Sequence, residues 1–317
     1  MDINSFVIGH SKGYNKGKSL AGVVSMEENE AGGISYEIKA SEVDKEWFND
    51  GKTHLFIEIA TEGRMDVPLR FNQSNKNCVT IDWGDGSELQ TINSEGNVNT
   101  AHTYASVGKY VITLDVAEGC TLRLGNGYGY CVMGNSSSSR GYVYCNMLKG
   151  VEFGSGVRTT GEYAFQYCYS LASVALPNSV TSDIGNYALY NCYSLENITL
   201  PNGVVYIGQY AFYNCHSLAS IVIPNSVTSI GMNAFANCHS LASIVIPNSV
   251  TRIEVNVFNS CTGIKFFDFT KHTSVPTLSG SLGSLSSDYE IRVPMALVDE
   301  WKAATNWSTY ESQIVGV

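Results

Sequence analysis

The chain has 317 residues, 44% of them hydrophobic, and carries a formal net charge of −10 with a pI near 5.1. That length accommodates two modest domains, each with its own core. An acidic chain repels phosphate backbones and anionic lipid, so neither nucleic acid nor a membrane surface is an expected partner. No apolar run is long enough for a membrane-spanning helix, and no membrane insertion is expected. The opening Met1-Asp2-Ile3-Asn4 lacks the basic and apolar regions of a signal peptide.

Residues 1–50 are read as a flexible N-terminal arm. "GHSKGYNKGKSLAG" is rich in Gly, Lys and Ser and shows no apolar periodicity. It contains no phosphate-loop motif followed by a helix, so no nucleotide cofactor is expected. This opening is similar to those of phage or prophage tail-associated proteins, which implies a virion-associated location as an alternative.

Residues 51–125 read as strands. "HLFIEIA", "CVTIDWG" and "KYVITLDV" alternate in strand fashion, and Asp85-Gly86 signals a hairpin turn. Trp83, Gly84, Asp85, Gly86 and Ser87, followed by His102, Thr103, Tyr104, Gly108 and Tyr110, resemble the signature of the PKD-like domain. The resemblance covers residues 53–125 and implies an immunoglobulin-like β-sandwich that acts as a spacer or adhesive module. Asp82, Asp85 and Asp115 are read as turn chemistry on a solvated rim, because no run supplies the six or more oxygens that calcium requires.

Residues 126–270 repeat. "SLASIVIPNSV" occurs from Ser217 and again from Ser240. Cys145, Cys168, Cys192, Cys215, Cys238 and Cys261 follow at steps of 23, 24, 23, 23 and 23, with Asp183 as the extra residue. The columns beginning at Leu148, Val151 and Phe153 keep the same step. The last two lie two residues apart, as inward positions of a strand do. Pro177, Pro201, Pro224 and Pro247 end each strand, since proline donates nothing to a ladder. "NAFANC" and "YAFYNC" read as a short helical or irregular return segment. A single 23-residue turn buries too few side chains to offset the ordering of its backbone, so the turns must stack as a solenoid with covered ends.

The pattern L-x-x-I-x-I-P-x-x-V-x-x-I-G-x-x-A-F-x-x-C resembles the BspA-like leucine-rich repeat of bacterial surface proteins over residues 143–270. The resemblance implies binding of an extracellular protein or matrix component and no catalysis.

Residues 271–317 are read as a C-terminal cap. Asp288–Pro294 forms a last strand, and "MALVDEWKAATNW" is an amphipathic lid with Leu297, Trp301 and Ala304 on one face. Trp301 and Trp307 are assigned to cap packing in preference to sugar binding. The fold class is therefore mainly β with short helices: an immunoglobulin-like sandwich followed by a leucine-rich repeat solenoid with a capping helix.

The cysteine column is read as small apolar packing groups, because parallel side chains on stacked turns suit packing better than disulfides. A Cys120–Cys131 bridge remains open at the domain junction. Between Thr159 and Thr251 the charged residues are Glu162, Asp183 and Glu196, with no lysine or arginine. No Ser-His-Asp or Cys-His constellation assembles from neighbouring turns, so no enzyme is expected. His216 and His239 offer a metal two ligands where three or four are needed, and none is expected.

The candidate binding residues are Tyr163, Tyr169, Tyr187, Tyr190, Tyr193, Tyr210, Tyr213, His216 and His239, on an otherwise neutral array. Packing along the return side is the competing reading of these phenols. The outward strand positions, such as Ser173, Thr199, Val222 and Val245, are small and imply a flat face suited to a broad partner. The expected function is a non-enzymatic cell-surface or secreted adhesion protein that binds a protein or glycan. The alternative is a structural or host-recognition component of a phage tail.

Overall fold

The computed structural model describes residues 50–62, 66–125, 131–134 and 142–317, together with the backbone of three strands near the N-terminus. These are β1 (Ser5–Ile8), β2 (Val23–Glu28) and β3 (Ile34–Ile38), an antiparallel sheet of order β1-β3-β2. The rest of the stretch up to residue 49 lies outside the described residues, and so does its reading as a flexible arm.

Seven strands follow: β4 (Thr53–Ile59), β5 (Asp66–Gln73), β6 (Val79–Asp82), β7 (Gln90–Thr91), β8 (Gly96–Thr103), β9 (Gly108–Val116) and β10 (Leu122–Leu124). They fall into two antiparallel groups, β4-β9-β6-β7 and β10-β5-β8. Alternate residues are fully buried: Leu55 and Ile57 on β4, Val67, Leu69 and Phe71 on β5, Ile112 and Leu114 on β9. This is the period-2 pattern of sheets buried on one face.

The residues of the Trp-Gly-Asp-Gly and His-Thr-Tyr segments converge. His102 stacks on Trp83 at 5.0 Å and meets the edge of Tyr104 at 4.8 Å. The Tyr104 hydroxyl donates to the Trp83 carbonyl at 2.8 Å, and His102 Nε2 lies 2.7 Å from Asp85 Oδ2. Burial opposes ionisation of Asp85, but hydrogen bonds from His102 and Ser87 outweigh it and hold its carboxyl below the ordinary value. Gly84 has φ 77°, and a Cβ there would sit 2.3 Å from the Val111 carbonyl oxygen, so the turn admits only glycine. The three aspartates are engaged separately: Asp82 accepts from Gly84 N–H, Asp85 from Ser87 N–H, and Asp115 pairs with Lys52 at 2.9 Å.

Beyond the short α1 (Tyr142–Cys145), β11 (Leu148–Glu152) begins a right-through stack of coils. Successive coils contribute front and return strands: β12 (Ser173–Ala175) and β13 (Asp183–Ile184), β14 (Asn197–Thr199) and β15 (Tyr206–Ile207), then β16 (Ser229–Ile230), a return strand only. There follow β17 (Ser243–Val245) and β18 (Arg252–Ile253), β19 (Phe266–Asp268) and β20 (Thr277–Leu278), β21 (Glu290–Val293), α2 (Val298–Ala303) and β22 (Ile314–Gly316). Return strands β13-β15-β16-β18-β20 form one parallel ladder, and β17-β19-β21-β22 form another along the front. Parallel pairing therefore continues past residue 270, and a strand follows the capping helix. Trp301 and Trp307 are buried, and Trp307 Nε1 donates to the Pro276 carbonyl at 2.8 Å.

The segments read as helical or irregular returns are turns of one recurring design. Tyr187, Leu189 and Asn191 N–H groups donate to Gln209, Ala211 and Tyr213 carbonyls of the next coil. Between them, Ala188, Tyr190 and Cys192 donate three residues back within their own coil. Every second amide thus stitches neighbouring coils, and no buried donor is left without an acceptor along this run.

The sequence divides the chain at residue 125, but the structure joins it there. Strand β4 pairs antiparallel with β11 on one side and with β9 on the other, so one seven-stranded sheet of order β14-β12-β11-β4-β9-β6-β7 crosses the junction. The other sheet is tied as well: Arg70 N–H on β5 donates to the Val132 carbonyl at 2.8 Å, and Val132 N–H donates to Ala164 of the next coil. Gly154 sits so close that a Cβ would lie 2.2 Å from the Gly51 carbonyl oxygen. A single buried apolar cluster runs from Leu55 to Ile314, in place of the two separate cores expected.

Glu152 on β11 stands opposite His54 on β4 at this junction. Burial, reinforced by Asp50, raises its carboxyl from 4.5 to about 7. The native state therefore holds a proton that the unfolded chain has released. Stability is expected to fall as pH rises from about 4.5 to about 7 and to level off above. Urea midpoints across that range check this, and Glu152→Gln is expected to flatten the slope.

Candidate binding surface

Five of the six cysteines in the repeat column remain thiols, fully buried as packing groups. They also act as donors. Cys192 Sγ reaches the Phe165 carbonyl at 3.2 Å, Cys215 that of Leu189 at 3.3 Å, Cys238 that of Phe212 at 3.2 Å and Cys261 that of Phe235 at 2.9 Å. Burial pushes the Cys192, Cys215 and Cys238 thiols up, keeping the proton that each bond needs.

The expectation for the remaining cysteines is corrected. Cys120 pairs with Cys78, not with Cys131, and Cys131 pairs with Cys145 of the column. Val132 stacks on Ala164 as Phe165 stacks on Ala188. Cys131 therefore occupies the small position that Ala164, Ala188, Ala211 and Ala234 fill in later coils, next to the column thiol. The Cys168 sulfur completes a buried group in which all three sulfur atoms lie within 4.8 Å of one another.

Along the turns, aromatic rings of successive coils stack in columns. Tyr163, Tyr187 and Tyr210 stack at 5.0 and 4.8 Å with interplanar angles of 9° and 8°. Tyr190 and Tyr213 stack at 4.9 Å and 6°. Tyr169, Tyr193, His216 and His239 follow one another at 4.8, 4.7 and 5.0 Å. Tyr187 lies 5.6 Å from Tyr190, and Tyr210 lies 5.5 Å from Tyr213, so the first two columns adjoin. Tyr167 touches both Tyr190 and Tyr169 and links the third column to them. All nine residues singled out in the sequence thus meet in one connected aromatic surface, with Tyr167 as the member that sequence columns missed.

The backbone beneath this surface is unusual. Tyr163, Tyr167, Tyr187 and Tyr210 all have φ between 55° and 64°, a region disfavoured for bulky L-residues. The two later coils place Asn233 and Asn256 at the position of Tyr163, Tyr187 and Tyr210. Asparagine tolerates this conformation well, so the first three coils carry tyrosine against local preference. Tyr167 heads a column continued by Asn191, Asn214 and Asn237, whose side-chain amides form a ladder with 2.7 Å steps.

Residues 136–265 match the BspA type leucine-rich repeat region, in six copies. The solved structures similar to this chain include a leucine-rich repeat protein from Bacteroides ovatus, at 25% identity and TM-score 0.38, matching 47% of this chain and 43% of that one. A T. pallidum leucine-rich repeat protein matches at 27% identity and TM-score 0.37, over 55% of this chain and 78% of that one. A leucine-rich cell surface protein from Faecalibacterium prausnitzii matches at 28% identity and TM-score 0.33, over 43% of each chain. The matched residues thus span less than half of the Bacteroides and Faecalibacterium chains. No curated protein matches the chain.

Burial, with neighbouring tyrosines adding to it, raises Tyr169 and Tyr187 above the ordinary value and holds Tyr190 at about 12. Burial, and then the neighbouring His239, lower His216, so its ring is uncharged at neutral pH. Among the described residues, no group hydrogen-bonds the hydroxyls of Tyr163, Tyr169, Tyr187, Tyr190, Tyr193, Tyr210 or Tyr213.

The front of the repeat region is not uniformly flat. Among the described residues, no ladder joins Ser220–Ile223 to β17, and an open groove of about 730 Å³ lies there. Val222 and Val245 flank it, 79% and 53% exposed. Among the described residues, no helix is long and apolar enough to cross a membrane.

Proposed function

We propose that this protein is a non-enzymatic binding protein of the cell surface or extracellular space. Its repeat region presents the tyrosine columns to a protein or glycan partner. The PKD-like sandwich serves as the rigid support beneath the first coil. The observation that carries this reading is the connected aromatic surface, held in place against backbone preference over three consecutive coils. Strain of this kind is retained where surrounding structure and function select it, and tyrosine gives contact area at small entropic cost. The two disulfides add weight to an oxidising, extracellular setting. The repeat turns hold few ionisable groups, which speaks for binding over chemistry.

Binding of the full chain to immobilised matrix proteins and to a panel of glycans tests the reading. The triple variant Tyr187→Ala, Tyr190→Ala, Tyr213→Ala is expected to bind at least about tenfold more weakly than the parent. Equal binding by the triple variant would reject these tyrosines as anchors.

A further inference from the structure

We infer that the tyrosine surface docks a second copy of this chain. The inference rests on the reading of that surface as a contact face and goes further by naming the partner.

Four observations lead there. First, ring faces within each column are covered by their neighbours in offset stacks, so a partner meets mainly ring edges and hydroxyls. A ligand that lies flat on an aromatic face finds little room. Second, those hydroxyls have no hydrogen-bond partner among the described residues, and a phenol both donates and accepts. A row of phenols therefore satisfies an identical row turned to face it, which is the self-complementarity a two-fold interface demands.

Third, the rings recur every 4.7 to 5.0 Å along the stack. An extended peptide lying along that axis advances about 3.3 Å per residue and slips out of step. A second stack of strands, spaced about 4.8 Å apart, keeps register over every coil, in either direction. Fourth, the chain carries a net charge of −10, yet residues 159–251 hold only three carboxylates and no cation. Two copies approach there against the least repulsion.

Partner and pitch together describe an isologous contact between two repeat regions. On facing surfaces it joins one cell or particle to the next, and on a single surface it pairs neighbours.

Sedimentation velocity of the full chain across a wide dilution series provides the test. The expected result is a reversible rise from the 34.4 kDa monomer towards twice that mass. Tyr187→Asn and Tyr210→Asn place at these positions the residue that Asn233 and Asn256 use, so the backbone keeps its conformation. Each is expected to weaken self-association roughly thirtyfold with the fold intact by circular dichroism. Tyr190→Glu, which sets carboxylates against each other, is expected to abolish it at low salt and to recover part of it at high salt. A wild-type chain that stays monomeric throughout overturns the inference, as does an Asn variant that dimerises like the parent. A monomer that still binds a matrix protein or glycan through these tyrosines overturns self-docking while leaving the binding surface itself standing.

Discussion

Phe235→Ala is expected to destabilise the protein by about 4 kcal/mol, the middle of the range for emptying a phenylalanine site in a packed core. Phe235 is fully buried and stacks between Phe212 at 5.2 Å and Phe258 at 5.7 Å, with planes within 5° of parallel. Neighbouring coils supply both walls, and turn backbones stitched by alternate amides resist collapse into the void. The loss is therefore shared by two coil–coil interfaces, on which the stack depends. Urea unfolding is expected to show an earlier midpoint and a shallower slope as the coils on either side uncouple. Ser243→Ala, on the outward face of the following coil, is expected to leave the midpoint within about 0.5 kcal/mol of the parent.

Removing the Cys78–Cys120 disulfide is expected to cost about 4 kcal/mol, given its 42-residue separation and the chain-entropy relation for a cross-link. The Cys131–Cys145 link closes a shorter span of 14 and is expected to contribute about 3 kcal/mol. Unfolding of the Cys78→Ser, Cys120→Ser and Cys131→Ser, Cys145→Ser variants, each against the parent, measures the two separately. Thiol counting in denaturant checks the pairing itself. Five thiols are expected to react before reduction and nine after. Nine reactive thiols in the unreduced chain would show that neither bond forms, and the argument for an oxidising compartment would then fail.

The coil architecture was legible because it is written at a fixed step: Leu, Ile, Phe and Cys recur where an inward side chain is needed, and each column resolves into a buried row. The tyrosine columns were legible for the same reason. Tyr167 was not, because its equivalents are Asn191, Asn214 and Asn237, which share its backbone conformation but not its chemistry. Cys131 escaped because it lies 14 residues before Cys145, whereas the equivalent Ala164 lies only four before Cys168. Its alignment with the alanine column emerges only from the Val132–Ala164 hydrogen bond.

The joining of β4 to β11 had no local signal at all. Pairing between strands some ninety residues apart is decided by tertiary fit, and each strand alone reads as an ordinary amphipathic strand. Likewise β22 is three residues long, too short to stand out from the turns around it. Asp85 and Gly86 pointed correctly to a turn. What the letters did not disclose was that His102, sixteen residues on from Gly86, closes the same cluster through Asp85.

The shared strand β4 has a consequence for anyone handling the two halves separately. Cutting the chain near residue 125 would strip β11 of its antiparallel neighbour and leave β4 with a naked rim of amides and carbonyls. Such a rim recruits other chains. Transplanting the repeats onto a new carrier therefore requires bringing β4 along, or a substitute strand to seal the opening. With that seal in place there is no swivel between carrier and repeats, and whatever the coils hold is aimed in one fixed direction.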